Sequence, residues 1–145
     1  MSDKYDAIKL SSQLCFPLYV CSKEIVRLYK PFLDELDLTY TQYITMMALW
    51  EQERINVKDL GEILFLDSGT LTPVLKKLEC KGYIYRSRME TDERVVIATL
   101  TPKGLALKEK AVEIPYKISE CLPLEHEEAL TMYQFLSKIL KKLRD

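Results

Sequence analysis

The chain has 145 residues, 48% of them hydrophobic and 30% charged, which suits one compact domain with its own core and some surface left for a partner subunit. No apolar run approaches a membrane span, and the opening MSDKYDAIKLSSQ lacks the basic segment, apolar core and cleavage site of a secretory leader, so a cytoplasmic protein off the membrane is expected. A formal net charge of −1 excludes a globally basic nucleic-acid coat, so any such function must rest on local charge placement.

Apolar residues at Leu14, Leu18, Tyr19, Ile25, Val26, Tyr29 and Leu33 predict a mostly buried first helix over about 12–33. Thr39 with Gln42 reads as a capping box for a second helix through Trp50, ending near Glu53. Asn56 caps a short third helix carrying Val57, Leu60, Ile63 and Leu64, and Asp67 caps a fourth with Leu71, Val74, Leu75 and Leu78 inward, stopped at Gly82. The period then changes to two: YIYRSR and RVVIATL are strand-like, with METDE as the hairpin tip. Thr101 and Pro102 open a fifth helix that runs toward Cys121, and a sixth covers Leu124 to Leu143. The expected fold class is mainly α with a small β-hairpin wing.

On a helical wheel the core side of the fourth helix leaves Gly69, Thr72, Pro73 and Lys76 opposite, flanked by Thr70 and Lys77. Small residues at a helix start permit close approach to a phosphate or base edge, and lysines further along neutralise phosphate charge. In the hairpin Arg86 and Arg88 share a face, and Arg94 leaves the tip beside Asp92, which can hold its guanidinium. Between Gly69 and Arg88 the cations Lys76, Lys77, Lys81, Arg86 and Arg88 face only Glu79, so positive charge is local. A solvated helix face explains any one of these features alone; a capped helix before it and a basic hairpin after it point together to DNA.

The cysteines Cys15, Cys21, Cys80 and Cys121 form no CxxC pair, and His126, the single histidine, has no clustered ligands. No metal site, cofactor or nucleophilic Ser-His or Cys-His pair is expected, and the chain is not expected to be an enzyme. Cys80 reads as incidental, and Cys121 by itself reads as a buried interface thiol.

The run DSGTLTPVLKKLECKGYI, then TDERVV and LTPKG, resembles the helix-turn-helix, wing and following helix of MarR regulators. QLCFPLY, LYKPFL, LTYTQY and LDSGTLTP are similar to the OhrR branch of that family, the organic-hydroperoxide repressors. The resemblance implies one domain over 1–145: a winged helix-turn-helix at about 39–101, and a helical dimerisation region at about 5–33 and 102–145. It implies an operator-binding homodimer in which Ser68, Gly69, Thr70, Thr72, Lys76, Lys77 and Arg94 contact double-stranded DNA. It also implies that Cys15 is oxidised by an organic hydroperoxide, with Tyr29 and Tyr40 as hydrogen-bonding partners, Tyr19 nearby, and either Cys121 or a low-molecular-weight thiol completing the reaction. Phe16, Leu18 and Met46 are candidates for lining the pocket. Residues 15 and 29 of one helix stand about 21 Å apart, so a contact between them requires two subunits. Cys21 is a poorer second thiol, being turned about 240° from Cys15. Pro17 departs from the family pattern; it either kinks the first helix or makes it start afresh, leaving Cys15 beside a helix N-terminus. The alternative is a MarR-type repressor answering a small aromatic ligand, with Cys15 only packed; a thiol peroxidase lacks an evident arginine partner or redox CxxC.

Overall fold

Four helices begin where the sequence supplies an acceptor for their unpaired N–H groups. The Thr39 hydroxyl accepts from the Gln42 amide at 3.2 Å, and Gln42 Oε1 accepts from the Thr39 amide at 3.1 Å, opening α2 (Tyr40–Gln52). Asn56 accepts from Asp59 N (2.8 Å) to open α3 (Val57–Leu64), and Asp67 from Thr70 N (2.7 Å) to open α4 (Ser68–Cys80). Thr101 does the same for Gly104 N (3.0 Å) at the start of α5 (Pro102–Ala111). The computed structural model describes residues 3–145.

The first helix, α1, spans Cys15–Asp34, three residues later than expected at its start. Pro17 has no N–H for the Gln13 carbonyl, so the helix cannot extend back through Gln13; in the first turn its missing donor costs nothing. Gln13 is extended, and its side chain caps two short 3₁₀ turns by donating to Ala7 O and Lys9 O at 2.7 and 3.0 Å. The expectation of a mostly buried first helix is corrected: only Leu33 of α1 is buried, while Leu14, Phe16, Leu18 and Tyr19 are exposed. Together they form an exposed apolar face.

A three-residue strand, β1 (Arg54–Asn56), precedes α3 and went unseen in the sequence because three residues carry no readable alternation. It pairs antiparallel with β3 (Asp92–Leu100), Ile55 opposite Ala98, and β3 pairs with β2 (Ile84–Met89), giving the order β1-β3-β2. The hairpin tip is shorter than METDE: Met89 and Asp92 pair, leaving Glu90 and Thr91 as the turn.

Between α3 and α4, Phe65 takes a left-handed φ of 55°, and Leu66 N donates to Gly61 O at 2.9 Å. A Cβ on Gly61 would meet the Leu66 carbonyl at 2.7 Å, so glycine lets this turn close. Fully buried Met46, Leu49, Leu60, Leu71, Leu75 and Leu78 join α2, α3 and α4, and Ile84 ties them to the sheet.

The expected single fifth helix is two. After α5 the chain turns at Val112–Glu113 into α6 (Ile114–Cys121), because Pro115 cannot bond the Ala111 carbonyl and its ring crowds it. The last helix, α7 (His126–Arg144), is capped by Glu125 with Glu128 and has no buried residue, although Tyr133, Phe135, Leu136, Ile139, Leu140 and Leu143 lie along it. Among the described residues, no helix is long and apolar enough to cross a membrane.

Trp50 of α2 donates from Nε1 to Gly104 O at 2.9 Å in the interior, and a Cβ on Gly104 would stand 2.1 Å from the Tyr83 carbonyl and 2.8 Å from Leu100 Cδ1. Gly→Ala in a helix ordinarily gains about 1 kcal/mol. Here the sign reverses: Gly104→Ala is expected to cost about 1–3 kcal/mol by overpacking, lowering the thermal midpoint. A midpoint at or above wild type would show that the Tyr83 backbone yields.

Candidate nucleic-acid surface and thiol site

Burial of Leu71, Leu75 and Leu78 turns the other side of α4 outward, with Ser68, Gly69, Thr70, Pro73, Lys76 and Lys77 exposed and Thr72 half-buried. Hydrogen bonding by the Thr70 amide holds the Asp67 carboxyl below the usual carboxylate range, so the cap stays charged.

In the wing, Arg94 has a side chain 90% exposed yet directed: Asp92 Oδ1 accepts from its Nε at 3.0 Å and Oδ2 from Nη2 at 3.2 Å, while its backbone amide bonds Oδ1 at 3.1 Å. The side-chain bond to Arg94 lowers the Asp92 carboxyl, keeping the fork charged. Arg88 donates to Glu93 O at 2.7 Å beside the register shift in the hairpin. Arg86, on the wing face it shares with Arg88, is paired within the chain. Its backbone amide donates to Glu79 Oε2 at 2.7 Å and its guanidinium to Glu79 Oε1 at 3.1 Å, so its charge joins the wing to α4. The Arg86 amide is the main cause of a lowered Glu79 carboxyl. A groove of about 1020 Å³ runs between α3, α4 and the wing, with Ser68, Thr72, Arg88, Arg94 and Arg144 on its walls.

Cys15 is exposed at the first position of α1. At the other end of the same helix Tyr29 packs edge-on against Tyr40, ring centroids 5.0 Å apart, and Tyr43 joins them at 5.8 and 6.4 Å. Tyr43 was missed in the sequence, although its place one turn after Tyr40 was the available signal. Burial raises the phenols of Tyr29 and Tyr40, and burial with the two neighbouring phenols pushes Tyr43 up to about 12, so all three remain O–H donors at neutral pH. The buried unpartnered side-chain atoms among the described residues are Arg86 Nε and Thr99 Oγ1; Tyr29 and Tyr40 are each half-buried.

Tyr19 stands apart from this cluster, 59% exposed with Lys23 over its ring. Phe16 and Leu18 are exposed, but Met46 is 0% exposed in the core and cannot line a surface pocket of this chain, which corrects the expectation for it. Cys21, Cys80 and Cys121 are exposed free thiols, Cys121 closing α6. Among the described residues no cluster of metal-ligating side chains occurs.

Residues 27–111 match the family described as transcriptional regulator SarA/Rot. The chain is 55% identical over 115 residues to the organic hydroperoxide resistance transcriptional regulator of Bacillus subtilis strain 168, spanning 79% of this chain and 78% of the relative. It is 48% identical over 133 residues to the HTH-type transcriptional regulator SarZ of Staphylococcus aureus strain USA300, spanning 92% and 90%. It is similar in structure to reduced AbfR bound to DNA, AbfR being a Staphylococcus epidermidis protein, with TM-score 0.80, 36% identity and coverage of 99% and 100%. Against disulfide-formed AbfR the TM-score is 0.68, at 34% identity and coverage of 98% and 97%.

The phenol cluster has a pH signature. Folded-state values raised above 10 stabilise the fold below that pH, and this contribution is lost as pH rises through the folded-state range, up to about 12 for Tyr43. In a spectrophotometric titration of the folded protein, Tyr43→Phe should remove an ionisation step at about pH 12. A Tyr43→Phe titration that loses no such step would show that the Tyr43 phenol is solvated.

Proposed function

The chain belongs to the SarA/Rot family of MarR-type winged-helix transcriptional regulators, and on that premise we propose that it is a repressor that releases its operator when an organic hydroperoxide oxidises Cys15. The observation that carries this reading is the division of α1: an exposed thiol at its first residue, and at the far end the half-buried Tyr29 packed edge-on against Tyr40. Fourteen residues of helix span about 21 Å, so one subunit cannot bring them together, whereas two copies related by a twofold axis complete two sites at once.

The same arrangement supports a homodimer. The apolar stripes of α7 and of the N-terminal half of α1 exceed what a monomer ordinarily leaves to water, and a second copy covers both. Residues 1–145 then form one MarR-type domain, with about 39–101 as the winged helix-turn-helix and about 5–33 and 102–145 as the dimerisation region.

In the reaction, the Cys15 thiolate attacks a peroxide oxygen: the S–O bond forms, the O–O bond breaks, sulfur loses two electrons and the alkoxide leaves to be protonated. The phenols of Tyr29 and Tyr40 from the other subunit donate to the thiolate beforehand. Exposed Phe16 and Leu18 beside Cys15 give the hydrocarbon part of an organic peroxide an apolar surface. The sulfenic acid then condenses with a thiol, from Cys121 of the partner copy or from a small molecule, releasing water and forming a disulfide. On the DNA side, α4 lies in the major groove through Ser68, Gly69, Thr70, Thr72, Pro73, Lys76 and Lys77, and Arg94, aimed by Asp92, enters the adjacent minor groove, with Arg88 beside it.

The test is a gel-shift on the DNA upstream of the chain's own coding region, with reduced protein and after cumene hydroperoxide. Wild type should bind and then release; Cys15→Ser should bind and ignore the oxidant, and Cys80→Ser should follow wild type. Release of Cys15→Ser at the wild-type dose would move sensing elsewhere. If Cys121 resolves, oxidised wild type runs as a disulfide-linked dimer on a non-reducing gel and Cys121→Ser does not; a monomeric wild-type band leaves the external thiol as the resolving group.

Lys76→Ala and Arg94→Ala should each weaken operator binding and reduce the slope of log affinity against log salt by roughly one unit. Wild-type affinity in both variants across a salt series would remove α4 and the wing tip as the contact surface.

A further inference from the structure

We propose that Lys81 is a latch through which the tyrosine pair acts on α4, an inference that rests on the peroxide-sensing reading above. Lys81 follows the last residue of α4, where its amide still bonds Lys77 O at 3.0 Å. Its side chain is 27% exposed, and its ammonium bonds the turn between α1 and α2 and the first turn of α2: it donates to the Asp37 carbonyl, to Gln42 Oε1 at 3.2 Å, and pairs with Asp37 Oδ2 at 3.4 Å.

Gln42 is 3% exposed, and the oxygen that accepts from Lys81 also accepts from the Thr39 amide. One buried oxygen therefore fixes the residue directly before Tyr40 and the end of α4 together. Asp37, the other acceptor, holds a left-handed φ of 53° in the same turn. From the opposite side Lys103 donates to Lys81 O at 2.7 Å, so α5 grips the same point.

A charge-assisted bond with a buried amide oxygen is strong and directional, so its two ends move together or the bond is lost. On the peroxide-sensing reading, Tyr40 of one copy donates to Cys15 of the other, so enlarging that sulfur by an oxygen or a second sulfur displaces Tyr40. Displacing Tyr40 displaces the first turn of α2, which carries Gln42, and the Asp37 turn before it, and with them the acceptors of Lys81. Lys77, one turn back on α4, faces outward on the DNA side. The geometry makes Lys81 a positioning residue, with no contact to DNA or to peroxide required.

The experiment uses full-length dimer with three variants: Lys81→Met, which keeps the stem and removes the charge, Lys81→Arg, and Gln42→Glu, which keeps the acceptor. Operator Kd is measured reduced and after one equivalent of cumene hydroperoxide, together with the rate of sulfenic acid formation. Lys81→Met should oxidise at the wild-type rate, while its ratio of oxidised to reduced Kd falls about fivefold or more, within the range by which residues in a coupled network modulate one another. Lys81→Arg and Gln42→Glu should keep most of the ratio.

A residue that merely caps α4 would raise both Kd values by one factor and leave the ratio intact, which would overturn the latch. Should Lys81→Met not fold, Lys81→Gln, a donor without charge, carries the same comparison. A wild type that keeps its operator after oxidation defeats the sensing reading and the latch together; a wild type that releases while Lys81→Met releases equally defeats the latch alone.

Discussion

A twenty-residue helix is a rod, and the organisation of this protein follows from what stands at the two ends of α1. The thiol is at one end, preceded by a segment that Pro17 keeps out of the helix; the phenols are at the other, where Leu33 enters the core and Tyr29 meets Tyr40 and Tyr43. The rod cannot bend to close that distance, because its backbone bonds are satisfied internally and its only interior interruption, Pro31, lies beyond Tyr29. Chemistry that needs both ends needs two chains. The apolar residues exposed on the thiol half of α1 and along α7 are the energetic counterpart of that geometry: a second copy covering them would supply burial that one chain does not.

The other end of the problem is how α4 is held. Its start is fixed by Asp67, its middle by Leu71, Leu75 and Leu78, and its end by a crowded junction in which Lys81, Gly82 and Tyr83 meet α5. The Thr101 hydroxyl donates to Gly82 O at 2.6 Å, its amide bonds Tyr83 O at 3.0 Å, and Gly104 sits against that same carbonyl. Glu79 adds a link to β2 through Arg86. An element tied at start, middle and end moves as a body, so a displacement at its last residue appears at its first, where the small residues stand.

How much of this the sequence disclosed depends on whether the cause was local. The caps Thr39 with Gln42, Asn56, Asp67 and Thr101 are local chemistry, readable as side chains at fixed offsets, and all four do what their spacing predicts. The Asp92 to Arg94 pair is local too and forms as expected. What was hidden is contact between residues far apart in the chain. The Arg86 to Glu79 pair was not announced, because Glu79, seven residues away on another element, is near Arg86 only after the wing folds onto α4. Met46 looked like a pocket residue because helical spacing does not say whether an apolar side chain meets its own core or a ligand. Gln42 was read as a cap, which it is, while its second bond to Lys81 spans 39 residues and no pattern announces it. The break between α5 and α6 is different: its cause, Pro115 withholding a donor from the Ala111 carbonyl, is local and legible in the sequence.

Charge shows the same distinction between number and placement. A chain of net charge −1 is a poor polyanion binder by count, yet three carboxylates sit within the basic surface, each bonded to part of it. Asp67 caps α4, Glu79 fixes Arg86, and Asp92 aims Arg94. Each has its proton affinity lowered by the hydrogen bonds it accepts, so each remains an acceptor at pH values where a free carboxylate begins to protonate. Removing such a residue raises the formal positive charge and, by simple counting, should tighten binding to a polyanion. The geometry argues the reverse for Asp92: an arginine held in a fork gives up less rotamer entropy on entering a groove than one swinging freely, and orientation outweighs one unit of screened surface charge. Acidic residues are therefore part of how a nearly neutral chain orders its basic side chains.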